Sequence, residues 1–386
     1  MHKLVTFLLL GSLGMWGQST QVPRQPQIVD SSYLSRMGAV AKYGSINKVT
    51  PDGNAATKQQ RVNSVPNFTS SFTFNGNTFP FTMAGKDPQK GNTANLETSI
   101  MTIQFLFDEF VDQNGNNIVL DAATALPLIV NGPNFQNAPY GTGTTQFSDA
   151  VQRAEFFNVM KPDWHTLLEK PRTLQPVQIE VPFGASVVFQ AGAGGPFFAL
   201  VDGRFFLSQL NTILQFEPLH VNELAMIITR NSFLYQNGDL NQCCVVGFHT
   251  AFEKAVHGIR HDLQTLAMAN WIDPGILADP GRADVNSLSH EITEWMNDPF
   301  VNNSVPPWQF PFSSPPQCQA NLETGDPFEF FASDGFPVTL NGFTYHPQTE
   351  ALLQWFARQS PSTAFQGAYS FPDTTLLTAP LPCPGT

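Results

Sequence analysis

Positive charge is scarce in this chain. Its 386 residues carry 19 Lys and Arg against 31 Asp and Glu, a formal net charge of −12. That balance argues against nucleic acid as a partner and leaves no basic patch for anionic membranes. Long apolar runs are missing as well. Apart from a short one at residues 4–16, no stretch approaches the roughly 18 residues that a membrane-spanning helix needs. Cysteine is confined to Cys243, Cys244, Cys318 and Cys383, with no Cys-x-x-Cys pair, which argues against a four-cysteine zinc site. Neither a Gly-x-Ser-x-Gly nucleophile turn nor a phosphate-cradling Gly-rich motif occurs. Gly192-Ala-Gly-Gly fits a strand-connecting loop instead.

What is present begins with an export pattern. Lys3, the apolar run 4–16 and the small residues Gly17 and Ser19 predict a secretory signal over residues 1–18, with an uncleaved anchor as the alternative. The expected mature chain is secreted, periplasmic or extracellular, and has no membrane span. In that setting the four cysteines are expected to form disulfides. Sequence neighbours rarely bridge, so Cys243 and Cys244 are expected to reach Cys318 and Cys383 in one order or the other. Residues 19–66, rich in Gln, Ser, Asn and Pro, predict an extended arm or a pro-segment. The remainder, 67–386, is long enough for one large domain. Its wealth of Phe, with 34 in the chain, and of Pro and Gly, at 31 and 28, predicts many strands and loops.

Ser71-Phe-Thr-Phe-Asn-Gly-Asn-Thr-Phe-Pro-Phe alternates about Asn75-Gly76, a strong hairpin signal. Further strand-like runs fall at 99–107, 117–120, 177–181, 186–190, 197–201 and 225–228. Helical spacing marks 146–167, with 164–168 extending or following it, and a short helix at 205–214. Residues 243–252, Cys-Cys-Val-Val-Gly-Phe-His-Thr-Ala-Phe, read as one buried strand. His257 and His261 are spaced to pair on an exposed helix face, and 305–316 is a Pro-rich loop.

The chemistry concentrates in Ser-Leu-Ser-His-Glu-Ile-Thr-Glu-Trp-Met-Asn-Asp-Pro, residues 287–299. At helical period, Val285, Leu288, Ile292, Trp295 and Met296 form an apolar stripe, while His290, Glu291, Glu294 and Asp298 form a polar one. Asp284 is the expected N-cap and Pro299 the stop. No Lys or Arg lies among the acidic residues, so their repulsion costs roughly 0.2–0.5 kcal/mol per pair. A divalent cation would reverse that sign. His290 and Glu294, four apart, can share one ion as the two histidines of HExxH do, here in the form HExxE. Glu291 would then stand beside the bound water as general base. The plain alternative is a solvent-facing acidic stripe with an incidental histidine.

A third ligand should come from downstream, Asp326 first and Glu323 second, although Thr324-Gly325-Asp326-Pro327 is also good turn chemistry. Asp298 either orients His290 or caps the helix end. His249 fits a satisfied core histidine, with a supporting role at the site as the alternative. His346, with Tyr345, is a candidate oxyanion donor or else a loop histidine. Zinc is the default ion, and two carboxylates with one histidine also admit calcium or manganese. This order of elements predicts an α+β fold, zincin-like. A twisted mixed β-sheet with a backing helix would form an upper lobe at about 67–299, with the HExxE helix lining the cleft. An irregular, loop-rich lower lobe would follow at about 300–386.

Three blocks carry a family resemblance. Cys244-Val-Val-Gly-Phe-His-Thr-Ala-Phe, the HExxE block from Asp284 to Pro299 with Trp308 after it, and Leu322-Glu-Thr-Gly-Asp occur in the order seen in plant phosphate-induced (EXORDIUM-like) secreted proteins. The segment Asn341-Gly-Phe-Thr-Tyr-His-Pro-Gln-Thr-Glu resembles exported bacterial proteins with the same HExxE block. The blocks cover about 245–327, roughly a fifth of the chain. Phe248, Met296-Asn297 and Pro327 depart from the plant pattern. The resemblance implies a zincin-like fold and a metal site. The expected function is a secreted zinc-dependent hydrolase acting on a peptide or protein. The alternative is a non-enzymatic extracellular protein that binds a protein or glycan partner.

Overall fold

The computed structural model describes residues 23–36, 63–256, 260–310, 317–328, 331 and 333–384. The expected signal at 1–18 and His257 lie outside these residues. The architecture is α+β and strand-rich.

Thr93–Val111, 19 residues long, is the spine of an eight-stranded sheet. Val177–Val181 and Glu223–Arg230 pair with it in parallel, and Asn117–Asp121 pairs antiparallel. Arg260–Trp271 runs parallel to Glu223–Arg230, and Phe248–Val256 closes that edge as an antiparallel strand. Parallel strands covered on both faces need apolar residues on both. Glu223–Arg230 meets that demand, with every residue but the last buried. Its alternate residues face different layers. Leu224, Met226 and Ile228 pack with Leu288, Ile292 and Trp295, whereas Ala225 and Ile227 pack toward Val188, Ala199 and Leu234.

The layers follow from that alternation. A five-stranded sheet that includes Ser186–Ala191, Phe197–Asp202 and Ser232–Tyr235 covers one face, joined by Phe206 and Leu210 of the helix Gly203–Phe216. The helices Phe147–Glu155 and Asn286–Asn297 cover the other. The hairpin Asn67–Phe74 and Asn77–Ala84 turns at Asn75 and Gly76, both with positive φ, as the Asn-Gly signal requires. Its Phe68, Phe81 and Met83 share a core with Trp308, Leu322, Phe328, Trp355 and Phe356. Residues beyond 300 therefore pack onto an N-terminal hairpin, with no separate core of their own in that cluster.

Several expectations are corrected. Helical spacing at 146–167 holds only for Phe147–Glu155, and His165–Leu168 is a strand parallel to Thr93–Val111. The run 243–252 is two strands in different sheets, Cys243–Val245 and Phe248–Val256, separated at Val246-Gly247. His261 lies in the strand Arg260–Trp271, so the spacing of His257 and His261 marks no helix there. Within the arm, Gln27–Val29 adds a parallel edge strand beside Ser186–Ala191. The Pro-rich stretch contributes a strand, Ser304–Gln309, paired with Cys318–Asn321.

The disulfide pairing also differs. Cys243 bridges its neighbour Cys244, and Cys318 bridges Cys383. The C-terminal tail runs beside 307–309, where Gln309 N donates to Leu381 O and Cys383 N to Pro307 O. That path sets the Cys383 Cα 5.9 Å from Cys318, within bridging reach, while Cys243 and Cys244 lie in a strand of the five-stranded sheet.

Candidate metal centre

The central helix spans Asn286–Asn297, and all of its residues are buried. Val285, Leu288, Ile292, Trp295 and Met296 pack on Ile100, Met226, Ala267 and Ala269 of the large sheet. Asp284 does not cap the helix. Its carboxylate accepts from Val285 N and from His346 N and Nδ1, the last at 2.7 Å. Val285 occupies the N-cap position without a side-chain bond, and the helix stops before Asp298-Pro299. Asp298 takes the turn that follows, accepting from Asn302 N at 2.9 Å and from Asn303 N.

The polar stripe is buried rather than solvated, because a second wall closes over it. The loop after Cys318–Asn321 lays Gly325 against the helix, where its N–H donates to Glu294 Oε1 at 3.0 Å. Gln348 ties both sides together. Its Nε2 donates to Gly325 O at 2.8 Å, its N–H donates to Ser289 Oγ, and its Oε1 lies 3.2 Å from His290 Nδ1. The His290 ring is thereby held with Nε2 toward the carboxylates. Nε2 is 3.1 Å from Glu294 Oε2 and 3.9 Å from Asp326 Oδ1.

His249 enters from the strand Phe248–Val256. Its Nδ1 lies 3.4 Å from the same Glu294 Oε2 and 3.6 Å from Glu291 Oε2, and its Nε2 is 3.9 Å from Glu323 Oε2. Glu323 is also held by Asn321 Nδ2 at 2.5 Å, and Asp326 Oδ2 by Gln319 Nε2 at 3.1 Å. Glu291 differs from these. It is fully buried, and neither of its carboxylate oxygens accepts a hydrogen bond. Such a group is costly unless something else compensates it.

The electrostatics follow from this crowding. Burial pushes the Glu291 carboxyl up to about 7, against the pull of His249 and His290. Burial also pushes Glu294 up, but His290 and His249 outweigh it and hold that carboxyl below its ordinary range. Glu323 is raised well above the usual range by burial and by Glu294. Burial disfavours the charged form of both imidazoles, yet the surrounding carboxylates raise them.

Among the described residues, two sets of side chains present ligand atoms within 4.8 Å of one another: His290 with Glu294 and Asp326, and His249 with Glu291 and Glu294. The first is the set expected from HExxE plus Asp326. Glu323 lies behind His249 instead of in either set. Among the described residues His346 belongs to neither; it is bound to Asp284, and Tyr345 Oη donates to Leu128 O. His249, Gln348 and Gly325 are the residues of this candidate site that sequence reasoning undervalued or missed. The available signal was the glycine in Cys244-Val-Val-Gly-Phe-His and in Leu322-Glu-Thr-Gly-Asp. A Cβ at Gly247 would strike the Glu291 carboxylate, and one at Gly325 would strike the His290 ring. No protein-family model, curated protein or solved structure matches this chain.

Proposed function

We propose that this chain is an exported, zinc-dependent hydrolase of zincin-like design acting on peptide bonds. His290, Glu294 and Asp326 would hold the ion. Their mixed nitrogen and oxygen donors suit zinc, with manganese as the harder substitute. A bound zinc ion supplies Lewis acidity that brings a water toward deprotonation near neutral pH. Glu291 is the proton acceptor in this reading. The observation that carries it is the pair of buried, hydrogen-bond-free Glu291 oxygens beside the ligand set. A carboxylate so placed, with its pKa lifted by burial to about 7, is suited to take a proton at neutral pH. The zincin-like reading rests on the HExxE helix packed on a mixed sheet and on the ordered blocks that resemble those of plant phosphate-induced proteins.

The first experiment is the metal content of the purified chain and of its His290→Ala variant. At least one zinc per chain in the parent and one fewer in the variant are expected. On a broad peptide library, with both proteins loaded with one zinc per chain, Glu291→Gln should then reduce hydrolysis at least a hundredfold while keeping the zinc at His290, Glu294 and Asp326. Equal hydrolysis by both proteins would remove Glu291 from the role.

One observation favours a second reading, a non-enzymatic extracellular binding protein with a structural ion. His249, His290, Glu291, Glu294, Glu323 and Asp326 are all 4% exposed or less, so the ligand set is closed to a polypeptide in this conformation. Under that reading a chelator lowers the melting temperature and no peptide is cleaved. Under the first, chelation abolishes a measurable hydrolysis.

A further inference from the structure

We infer that His249, Glu291 and Glu294 form a second cation seat, which shares Glu294 with the HExxE seat. The inference rests on the metal reading above and adds to it the number of ions and a control on Glu291. Ligand atoms about 2.1 Å from a tetrahedral ion lie about 3.4 Å from each other. His249 Nδ1 stands 3.4 Å from Glu294 Oε2 and 3.6 Å from Glu291 Oε2, which is that spacing.

Each seat turns one imidazole nitrogen toward Glu294. In the first, Nε2 of His290 faces the carboxylates while Nδ1 is backed by the Gln348 carbonyl oxygen, the usual support of a metal-bound histidine. In the second, Nδ1 of His249 faces them, while its Nε2 lies 3.9 Å from Glu323 Oε2 and makes no hydrogen bond. Glu294 is suited to sharing, since Gly325 N–H occupies its Oε1 and leaves Oε2 between the two imidazoles. Glu291 supplies an independent sign: it is fully buried, and with the nearest His249 nitrogen 3.6 Å away neither of its oxygens accepts a hydrogen bond.

Glu291 cannot be both a ligand and a proton acceptor. Filling the second seat therefore takes Glu291 out of base duty, so the singly loaded chain is the form able to use it.

The test strips the full-length mature protein with chelator, reloads it with zinc chloride alone, dialyses, and counts zinc per chain by atomic emission. Two zinc ions per chain are expected in the parent, one in Glu291→Gln and one in His249→Asn. Glu294→Gln should retain none or bind at least tenfold more weakly. Glu291→Gln keeps the size of the side chain, so it carries the test if His249→Asn fails to fold by circular dichroism. One zinc in the parent, unchanged in Glu291→Gln and lost in His290→Ala, overturns the second seat and leaves the first standing. Two zinc ions in both the parent and Glu291→Gln overturn the ligand assignment. No zinc in the parent overturns both seats.

Discussion

Gly325 lets the ligand loop lie directly on His290. A methyl group there would overlap the imidazole, and Gln348 and Glu294 pin that ring from both ends. Turning the ring away would break one or both of those contacts. Gly325→Ala is therefore expected to cost about 1–3 kcal/mol in overpacking and to weaken zinc binding roughly tenfold or more. Urea unfolding and a zinc titration check this, and a variant with parental values in both would show that the loop yields freely. The same residues mark how far the sequence could be read. His290, Glu291 and Glu294 were legible because a helix fixes their directions at known spacing. Asp326 was legible as a downstream acid. His249 was not, because a lone histidine in an apolar strand resembles a core residue until the fold brings Glu291, Glu294 and Glu323 around it.

At the scale of elements, periodicity identified the faces but not what covers them. The apolar stripe of Asn286–Asn297 packs on the large sheet as its spacing predicts, yet the opposite stripe is buried too. No local pattern says that the segments around Gly325 and Gln348 fold back over it. The neighbouring helix Phe147–Glu155 makes the same point through its last residue. Glu155 is buried, accepts from Leu353 N through Oε1, and leaves Oε2 without a partner. Burial pushes its carboxyl up to about 8 from an ordinary 4.5, so between those values the folded chain binds more protons than the unfolded one. Its contribution to stability is accordingly lost as pH rises through that window and is unaffected below it. Glu155→Gln keeps the acceptor for Leu353 and carries no charge. Its stability relative to the parent should rise between pH 4.5 and 8, reaching on the order of a few kcal/mol. Denaturant melts of both proteins from pH 4 to 9 measure the difference, and a pH-independent difference would place the Glu155 carboxylate in contact with water.

Across the whole molecule, the two disulfides have different reach. The Cys318–Cys383 bridge closes a separation of 65 residues, whereas Cys243–Cys244 closes a separation of 1. In the chain-entropy account the longer loop constrains the unfolded chain by about 4 kcal/mol and the shorter by about 1 kcal/mol. Four cysteines and an expected exported setting made disulfides legible. Connectivity was not, because it depends on the tail running beside 307–309, a long-range contact that no local sequence pattern encodes. The longer bridge joins that tail to the strand just before the ligand loop, while Leu377 and Trp308 share the Phe-rich core. Replacing Cys318 and Cys383 together by Ala should thus lower unfolding free energy by up to about 4 kcal/mol. Zinc stoichiometry should stay at the parental value, since Gly325 and Gln348 hold the ligand loop on the helix without the tail. Loss of zinc with little loss of stability would reverse that assignment and make the bridge a support of the site instead of the fold.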